Sequence, residues 1–204
     1  MPTSSRRQPL PRVAAFHKPP GVLVSRVSEA GAPTVRSLLP EPFCDWWCVG
    51  RLDKDSEGLL LLCDDPRWAQ RMMEPGGVAK TYRVTVRGLP TEEELEPMRR
   101  GGVVLDGHPL LPVAVRRLGK APPGGTHFEV VLHEGRHRQI RRLFLPGGHR
   151  VRRLVRVAVG PVTLAGLAAG EVRELGREEV EMLHEALASE SLATGPGPGS
   201  ETSR

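Results

Sequence analysis

Aromatic side chains are scarce in this chain: four Phe, three Trp and one Tyr make up 4% of 204 residues. A core of this composition must be aliphatic, built from Val, Leu and Ala. Cysteine is also rare, and three cysteines, an odd number, supply no disulfide framework. Cys44 and Cys48 lack a second pair and read as small core residues. No apolar run approaches the ~20 residues needed to cross a membrane. Residues 1–13 carry Arg6, Arg7 and Arg12 without an apolar core, which excludes a secretory signal. No internal repeat is present. These absences lead us to expect a reduced, cytoplasmic protein with no membrane partner, long enough to bury a real core in one large domain or two small ones.

Turn formers are abundant, with 23 Gly and 20 Pro. The net charge of +5 is modest, but its distribution is uneven. Between residues 136 and 156 stand eight arginines and no acidic residue: Arg136, Arg138, Arg141, Arg142, Arg150, Arg152, Arg153 and Arg156. The planar guanidinium fork suits phosphate oxygens, so such a stripe points to nucleic acid. A merely solvated basic face is the alternative. Ile140, Leu143, Leu154 and Val155 are interleaved with the arginines, which places the stripe on folded structure and not in a tail.

Hydrophobic patterning divides the chain into alternating elements. Strands are expected over 12–16, 21–25, 48–52, 59–63, 80–87, 126–133 and 151–159. Helices are expected over 66–73, with Pro66 in the first turn, and over 91–100, where Thr91 and Glu94 form a capping box and Gly101 a stop. Further helices are expected over 136–144 and 177–188. Asp106-Gly107 marks a hairpin turn within 103–115. Residues 1–11 and 189–204 are expected to be disordered tails around one domain over 12–188. This order predicts an α+β fold with a mixed, largely antiparallel sheet.

One stretch concentrates chemistry. Gly50-Arg51-Leu52-Asp53-Lys54-Asp55-Ser56-Glu57-Gly58 is followed by four leucines, so Asp53 sits in a turn leading into an apolar strand. A carboxylate there can be a nucleophile, a metal ligand or a cap, and the arginine stripe favours a nucleophile acting on a nucleotide. Two metal motifs are imitated nearby. His133-Glu-Gly-Arg-His137 matches H-E-x-x-H, but zinc needs both histidines on one helix face, and here a strand ends at His133 with Gly135 in the middle. Asp53, Asp55, Glu57 and Gly58 imitate half of an EF-hand loop, yet Leu59–Leu62 is an apolar strand where that loop must stay polar.

Several segments, in order, resemble the RsuA-like ribosomal RNA pseudouridine synthase family. His17-Lys-Pro-Pro-Gly21 resembles the family's N-K-P-x-G, with His17 in place of Asn. Pro33-Thr34-Val35 and Leu38-Leu39-Pro40 follow. Gly50-Arg51-Leu52-Asp53 with Gly58-Leu-Leu-Leu-Leu resembles the catalytic signature, and Lys80-Thr-Tyr82 its K-x-Y. Glu134-Gly-Arg-His-Arg-Gln-Ile-Arg-Arg142 is similar to E-G-R-N-R-Q-V-R-R, and Leu154-Val-Arg-Val-Ala-Val-Gly-Pro161 completes the series. The first of these motifs begins near residue 14, which resembles the branch that lacks an S4 RNA-binding domain and modifies large-subunit ribosomal RNA.

The resemblance implies a pseudouridine synthase fold in two halves around a central cleft, working without metal or cofactor. It implies that uracil is detached from ribose at N1, turned and rejoined through C5. Asp53 would act at the ribose C1′, Arg141 would be its cationic partner, and Tyr82 would lie against the base. Leu154 would floor the uracil site. Arg51, Lys80, Arg136, Arg138, Gln139, Arg152 and Arg153 would bind the RNA. The implied partner is ribosomal RNA, of the large subunit, met by a monomer. A non-catalytic RNA-binding or ribosome-assembly protein on the same fold is the rival reading, and a zinc hydrolase a third. Elemental analysis of the purified protein separates the last of these: no stoichiometric zinc or calcium is expected. One tightly held metal per chain, with activity lost on its removal, would restore the metal readings.

Overall fold

The computed structural model describes residues 10–28, 31–74 and 77–193. The elements run β1 (Val13–Lys18), α1 (Val35–Leu38), a 3-10 turn at Phe43–Asp45, β2 (Trp47–Val49), β3 (Glu57–Cys63), α2 (Pro66–Arg71) and β4 (Lys80–Arg87). They continue with α3 (Glu92–Arg100), β5 (Val104–Leu105), β6 (His108–Pro109), β7 (Ala114–Ala121), β8 (Gly125–Leu132) and α4 (Gln139–Phe144). The last are β9 (Val151–Val159), β10 (Val162–Thr163), β11 (Val172–Glu174) and α5 (Arg177–Ala193).

Among the described residues nine strands form one sheet, ordered β11-β1-β3-β9-β4-β8-β7, with β2 on β3 and β10 on β9. All pairings in it are antiparallel except β3 with β9. That parallel contact is two residue pairs long, Glu57 with Val155 and Gly58 with Arg156. It joins two antiparallel halves, one around β1 and β3 and the other around β4, β8 and β9.

The leucine run explains why β3 lies centrally. Leu60 and Leu62 enter one apolar cluster, Leu59 and Leu61 the other, and all four are fully buried. A strand covered on both faces reads as a continuous apolar run and not as an alternating one. Val13 and Ala15 against Ala14 and Phe16 divide β1 in the same way. One face is covered by α2 and α5 through Trp68, Met72, Val180, Leu183 and Leu187. The other is covered by α3 and α4 through Leu95, Met98, Ile140, Leu143 and Phe144.

Several expected elements take other forms. Residues 21–25 make a loop with a single bridge, Leu23 to Thr34, in place of a strand. The hairpin at Asp106-Gly107 exists, but each arm is two residues long. β7 is a separate eight-residue strand that the sequence reading missed, because Arg116, Arg117 and Lys120 interrupt its apolar pattern. The helix expected over 136–144 starts at Gln139, since Arg138 has left-handed backbone at φ 50°. α5 runs to Ala193, past the expected end at residue 188. Residues 1–9 and 194–204 of the two expected tails lie outside the described residues.

Gly58 makes the parallel seam possible. Its φ is +115°, and a Cβ there would lie 2.3 Å from the Arg156 carbonyl oxygen and 2.6 Å from the Arg156 nitrogen. These obstacles are backbone atoms within a sheet, so they cannot swing aside. Gly58→Ala is therefore expected to lower the unfolding free energy by about 3 kcal/mol or more, combining left-handed strain with overpacking. A urea midpoint unchanged from wild type would show that the seam tolerates a side chain.

Candidate active site

A cavity of about 400 Å³ opens where the two halves of the sheet meet. Its walls come mainly from the Gly50–Ser56 turn before β3, the Gly135–Ile140 loop entering α4, and side chains of β4 and β9, with Met73 and Leu132 added. Tyr82 and Arg156 are direct cross-strand partners, and Leu154 stands two residues before Arg156. Side chains on a strand alternate, so Leu154 and Arg156 share a face. Tyr82, Leu154 and Arg156 are all buried and all line the cavity.

Among the described residues, Asp53 is the single acidic one on the cavity wall, beside Arg51, Lys80, Arg136, Arg138 and Arg156. Its turn is closed by the Ser56 N–H, which donates to the Asp53 carbonyl at 3.0 Å. Beneath it lies Lys18, fully buried at the end of β1. The Lys18 ammonium donates to the carbonyls of Ser56 at 2.8 Å, Pro19 at 2.9 Å and Lys54 at 3.4 Å. A cation thus holds the Asp53 turn by its backbone. Burial pushes the Lys18 ammonium down to about 8, against the opposing pull of Asp53 and Asp55.

Arg141 stands behind the turn and outside the cavity lining. Its Nε is 3.9 Å from Asp53 Oδ2. Its two Nη groups donate to Val151 O at 3.3 Å, to Asp55 O at 3.2 Å and to Ser56 Oγ at 3.3 Å. Burial lowers its pKa, and Asp55 acts in the other direction. Arg138 Nη1 lies equally far from Asp53 Oδ2, at 3.9 Å. Its guanidinium donates twice to Asp55, at 3.2 Å each. Hydrogen bonding from Arg138, added to the charge of Arg141, holds the Asp55 carboxyl below its ordinary range despite the opposing effect of burial. Asp55, Lys18 and Arg156 were not among the expected site residues. Lys18 could have been suspected from its place in the His17–Gly21 motif and Arg156 from the arginine stripe and the Leu154–Pro161 motif, whereas Asp55 stands out only in the rejected calcium motif.

Other expected site residues divide into two groups. Arg51, Lys80, Arg136 and Arg138 line the cavity. Gln139 also reaches the wall, but its amide is used internally: Oε1 accepts the Arg136 N–H at 2.9 Å and Nε2 donates to Glu134 Oε1 at 3.0 Å. Glu134 Oε1 also accepts the Leu111 N–H at 2.9 Å. Gln139 and Glu134 therefore shape the arginine loop. Arg152 and Arg153 lie off the cavity wall. Arg152 donates to Pro123 O at 2.6 Å, and Arg153 forks onto Glu57. The stripe is thus not one surface. His133 and His137 fall after β8 and in the loop before α4, not on one helix. His17 ties β1 to the loop before β11 through Nδ1 and Leu167 O, 2.8 Å apart.

Residues 12–145 match the RNA pseudouridylate synthase family. The chain belongs to that family. Among curated relatives, ribosomal large subunit pseudouridine synthase B of Pseudomonas aeruginosa is 36% identical over 188 residues. That match covers 89% of this chain and 48% of the relative, so this chain spans about half of that protein's length. An uncharacterized RNA pseudouridine synthase of Mycobacterium bovis is 37% identical over 177 residues, covering 85% of this chain and 69% of the relative. A crystal structure of a pseudouridylate synthase superposes with a TM-score of 0.73 at 29% identity, covering 85% of this chain and 74% of that one. The family and the α+β fold read from the motifs are those found.

The buried lysine under the pseudouridine synthase cavity has a measurable signature. Its folded-state pKa of about 8 lies below the ordinary 10.5, so the folded chain binds that proton less tightly. Between those two values the unfolded chain takes up more protons, and stability rises with pH. Relative to Lys18→Met, the wild-type unfolding free energy should climb from pH 8 to pH 10.5. A pH-independent difference would mean that the ammonium is not held in a buried site.

Proposed function

We propose that this chain is an RNA pseudouridine synthase that isomerises a specific uridine in ribosomal RNA, with Asp53 as the attacking carboxylate. The observation that carries the reading is the wall of the cavity: one carboxylate among five cationic side chains, over an apolar floor. A cationic rim gathers the phosphates flanking a target nucleotide. A pocket of this size suits a base drawn out of its stack. Tyr82 and Leu154 offer an aromatic and an aliphatic surface to that base, and Asp53 stands at the edge where a ribose would enter.

In this mechanism the N1–C1′ bond breaks, the uracil turns within the pocket, and a C5–C1′ bond forms. The proton released from C5 is balanced by the one gained at N1, so the product is an isomer. Asp53 would act at C1′ as the carboxylate, with Arg138 and Arg141 each 3.9 Å from its Oδ2. Tyr82 is assigned to assist proton transfer through its hydroxyl. Arg51, Lys80, Arg136 and Arg138 are assigned to the RNA. Arg152 and Arg153 are assigned to it only by displacement from their present partners.

For substrate we favour the large-subunit RNA, supported by the name of the Pseudomonas relative. Arginine contacts to phosphate position an RNA without reading its sequence, so selectivity should come from local RNA shape. A modification assay on separated ribosomal RNAs tests both parts. Wild type should convert one uridine, or very few, in large-subunit RNA, and Asp53→Asn should lose turnover by orders of magnitude with RNA affinity within a few-fold. Turnover retained by Asp53→Asn would sink the role of the carboxylate. Modification of small-subunit or transfer RNA alone would overturn the substrate and leave the reaction standing.

A further inference from the structure

The cavity uses only one face of the half-sheet formed by β4, β8 and β7. Tyr82, Val84 and Val86 of β4, Phe128, Val130 and Leu132 of β8, and Val115 of β7 all enter the apolar cluster under α3 and α4. Among the described residues, the second cluster, which seats α2 and α5, takes nothing from these three strands. Their opposite face is therefore open. The register sets out what stands on it. Arg116, Glu129 and Arg83 are direct partners across β7, β8 and β4. The next row holds His127, Thr85 and Arg153 on β8, β4 and β9, and Arg87 follows two residues further along β4. All four arginines are exposed. An antiparallel sheet can face water on one side, but an ordinary solvated face intersperses both signs of charge. Here Glu129 is the single acidic residue of the three strands. It is shared by Arg116 Nη2 at 2.6 Å and Arg83 Nη2 at 3.4 Å. Arg153 is paired with Glu57 from β3, so four arginines meet two carboxylates.

Resting on the reading of this chain as an enzyme of RNA, we propose that the open face is a second RNA-binding surface. It takes the phosphate backbone of a double-stranded stem, apart from the segment whose uridine enters the cavity. The excess of positive charge selects a polyanion. The residue types select a duplex over a single strand. Unpaired bases bind by stacking on aromatic rings, and both aromatic residues of these strands, Tyr82 and Phe128, point into the core on the other side. What the open face offers is guanidinium forks, which suit phosphate oxygens. Its rows lie about 7 Å apart, and the three spacings from β7 to β9 cover about 14 Å, the scale of a few phosphates. Along β4, Arg83 and Thr85 alternate with Tyr82 and Val84, so the stem and the target nucleotide lie on opposite sides of one strand. An RNA must then bring two parts of its fold to two surfaces. That requirement supplies a selectivity for shape that phosphate contacts around the cavity alone do not.

The test is fluorescence anisotropy of the full chain with two labelled RNAs: a mixed-sequence duplex of about 16 base pairs and a single strand of the same length. One variant combines Arg83→Glu with Arg116→Glu. Its control combines Arg67→Glu with Arg71→Glu, exposed positions of α2, and changes the net charge equally. The first variant is expected to weaken duplex binding by about ten-fold or more and to reduce its salt slope by roughly two, with single-strand binding within about three-fold of wild type. The α2 variant should leave duplex binding within about three-fold. Arg83→Gln with Arg116→Gln gives a neutral pair should repulsion from Glu129 unfold the charge-reversed one, as judged by thermal melting; a loss of about five-fold is expected of it. Unchanged duplex binding in a folded variant would overturn the proposal. So would equal losses for duplex and single strand, or equal losses in the β-sheet and α2 variants. Polyglutamate that displaces the duplex as well as unlabelled duplex RNA does would also overturn it, and would mark the face as a dock for an acidic protein. Binding is read without turnover, so a wild type that makes no pseudouridine refutes the enzymatic reading and leaves this surface to be judged by itself.

Discussion

The contact on which the rest of this molecule depends is the parallel seam between β3 and β9. It is only two residue pairs long, and it brings together two antiparallel half-sheets that each make sense alone. Because the strands run the same way, the turn that precedes β3 and the helix that precedes β9 arrive at one end of the seam. The first carries Asp53 and Asp55; the second carries Arg141, with Arg138 at its N-cap. A side chain at position 58 would collide with the Arg156 backbone, so the glycine of the signature acts as the joint of the fold. The cavity is the gap left where the halves meet.

Around that gap the protein buries several cations, which is costly unless each is hydrogen-bonded. Lys18 is matched by three carbonyls, and Arg156 by the Leu59 carbonyl at 2.7 Å. Arg141 is matched by two carbonyls and a hydroxyl. Most of these acceptors are backbone atoms at the seam or in the Asp53 turn. The cations therefore do two things together: they tie down the loops and they set the field in which Asp53 sits. Carboxylates elsewhere in the network, Glu57, Glu134 and Asp106, hold arginine-bearing segments in place from outside the cavity.

Elements with a local cause were legible in the chain. β4 follows alternation, α3 follows its capping box, and β3 follows its unbroken leucines. β7 was harder to read, because a segment rich in arginine pairs on an existing sheet edge without a continuous apolar pattern, and the hairpin arms are only two residues each. The start of α4 was displaced by a backbone conformation at Arg138 that no residue type announces. Gln139 illustrates the same limit at the site: its place in the motif was visible, but whether its amide faces RNA or its own loop depends on where Glu134 and Arg136 fold.

The sequence by itself determined the family and the α+β class, and it marked Asp53, Tyr82 and Leu154 as residues to watch. Ordered motifs and strand periodicity are one-dimensional properties, so they survive without coordinates. The tertiary structure decided which of the eight stripe arginines belong to the cavity. Arg136, Arg138 and Arg156 line it, Arg141 stands behind Asp53, and Arg142, Arg152 and Arg153 are bound elsewhere. It alone brought Asp55 against arginines more than eighty positions away. The physical reason is that a hydrogen-bond partner is set by the packing of whole strands and helices. No spacing along the chain encodes that distance.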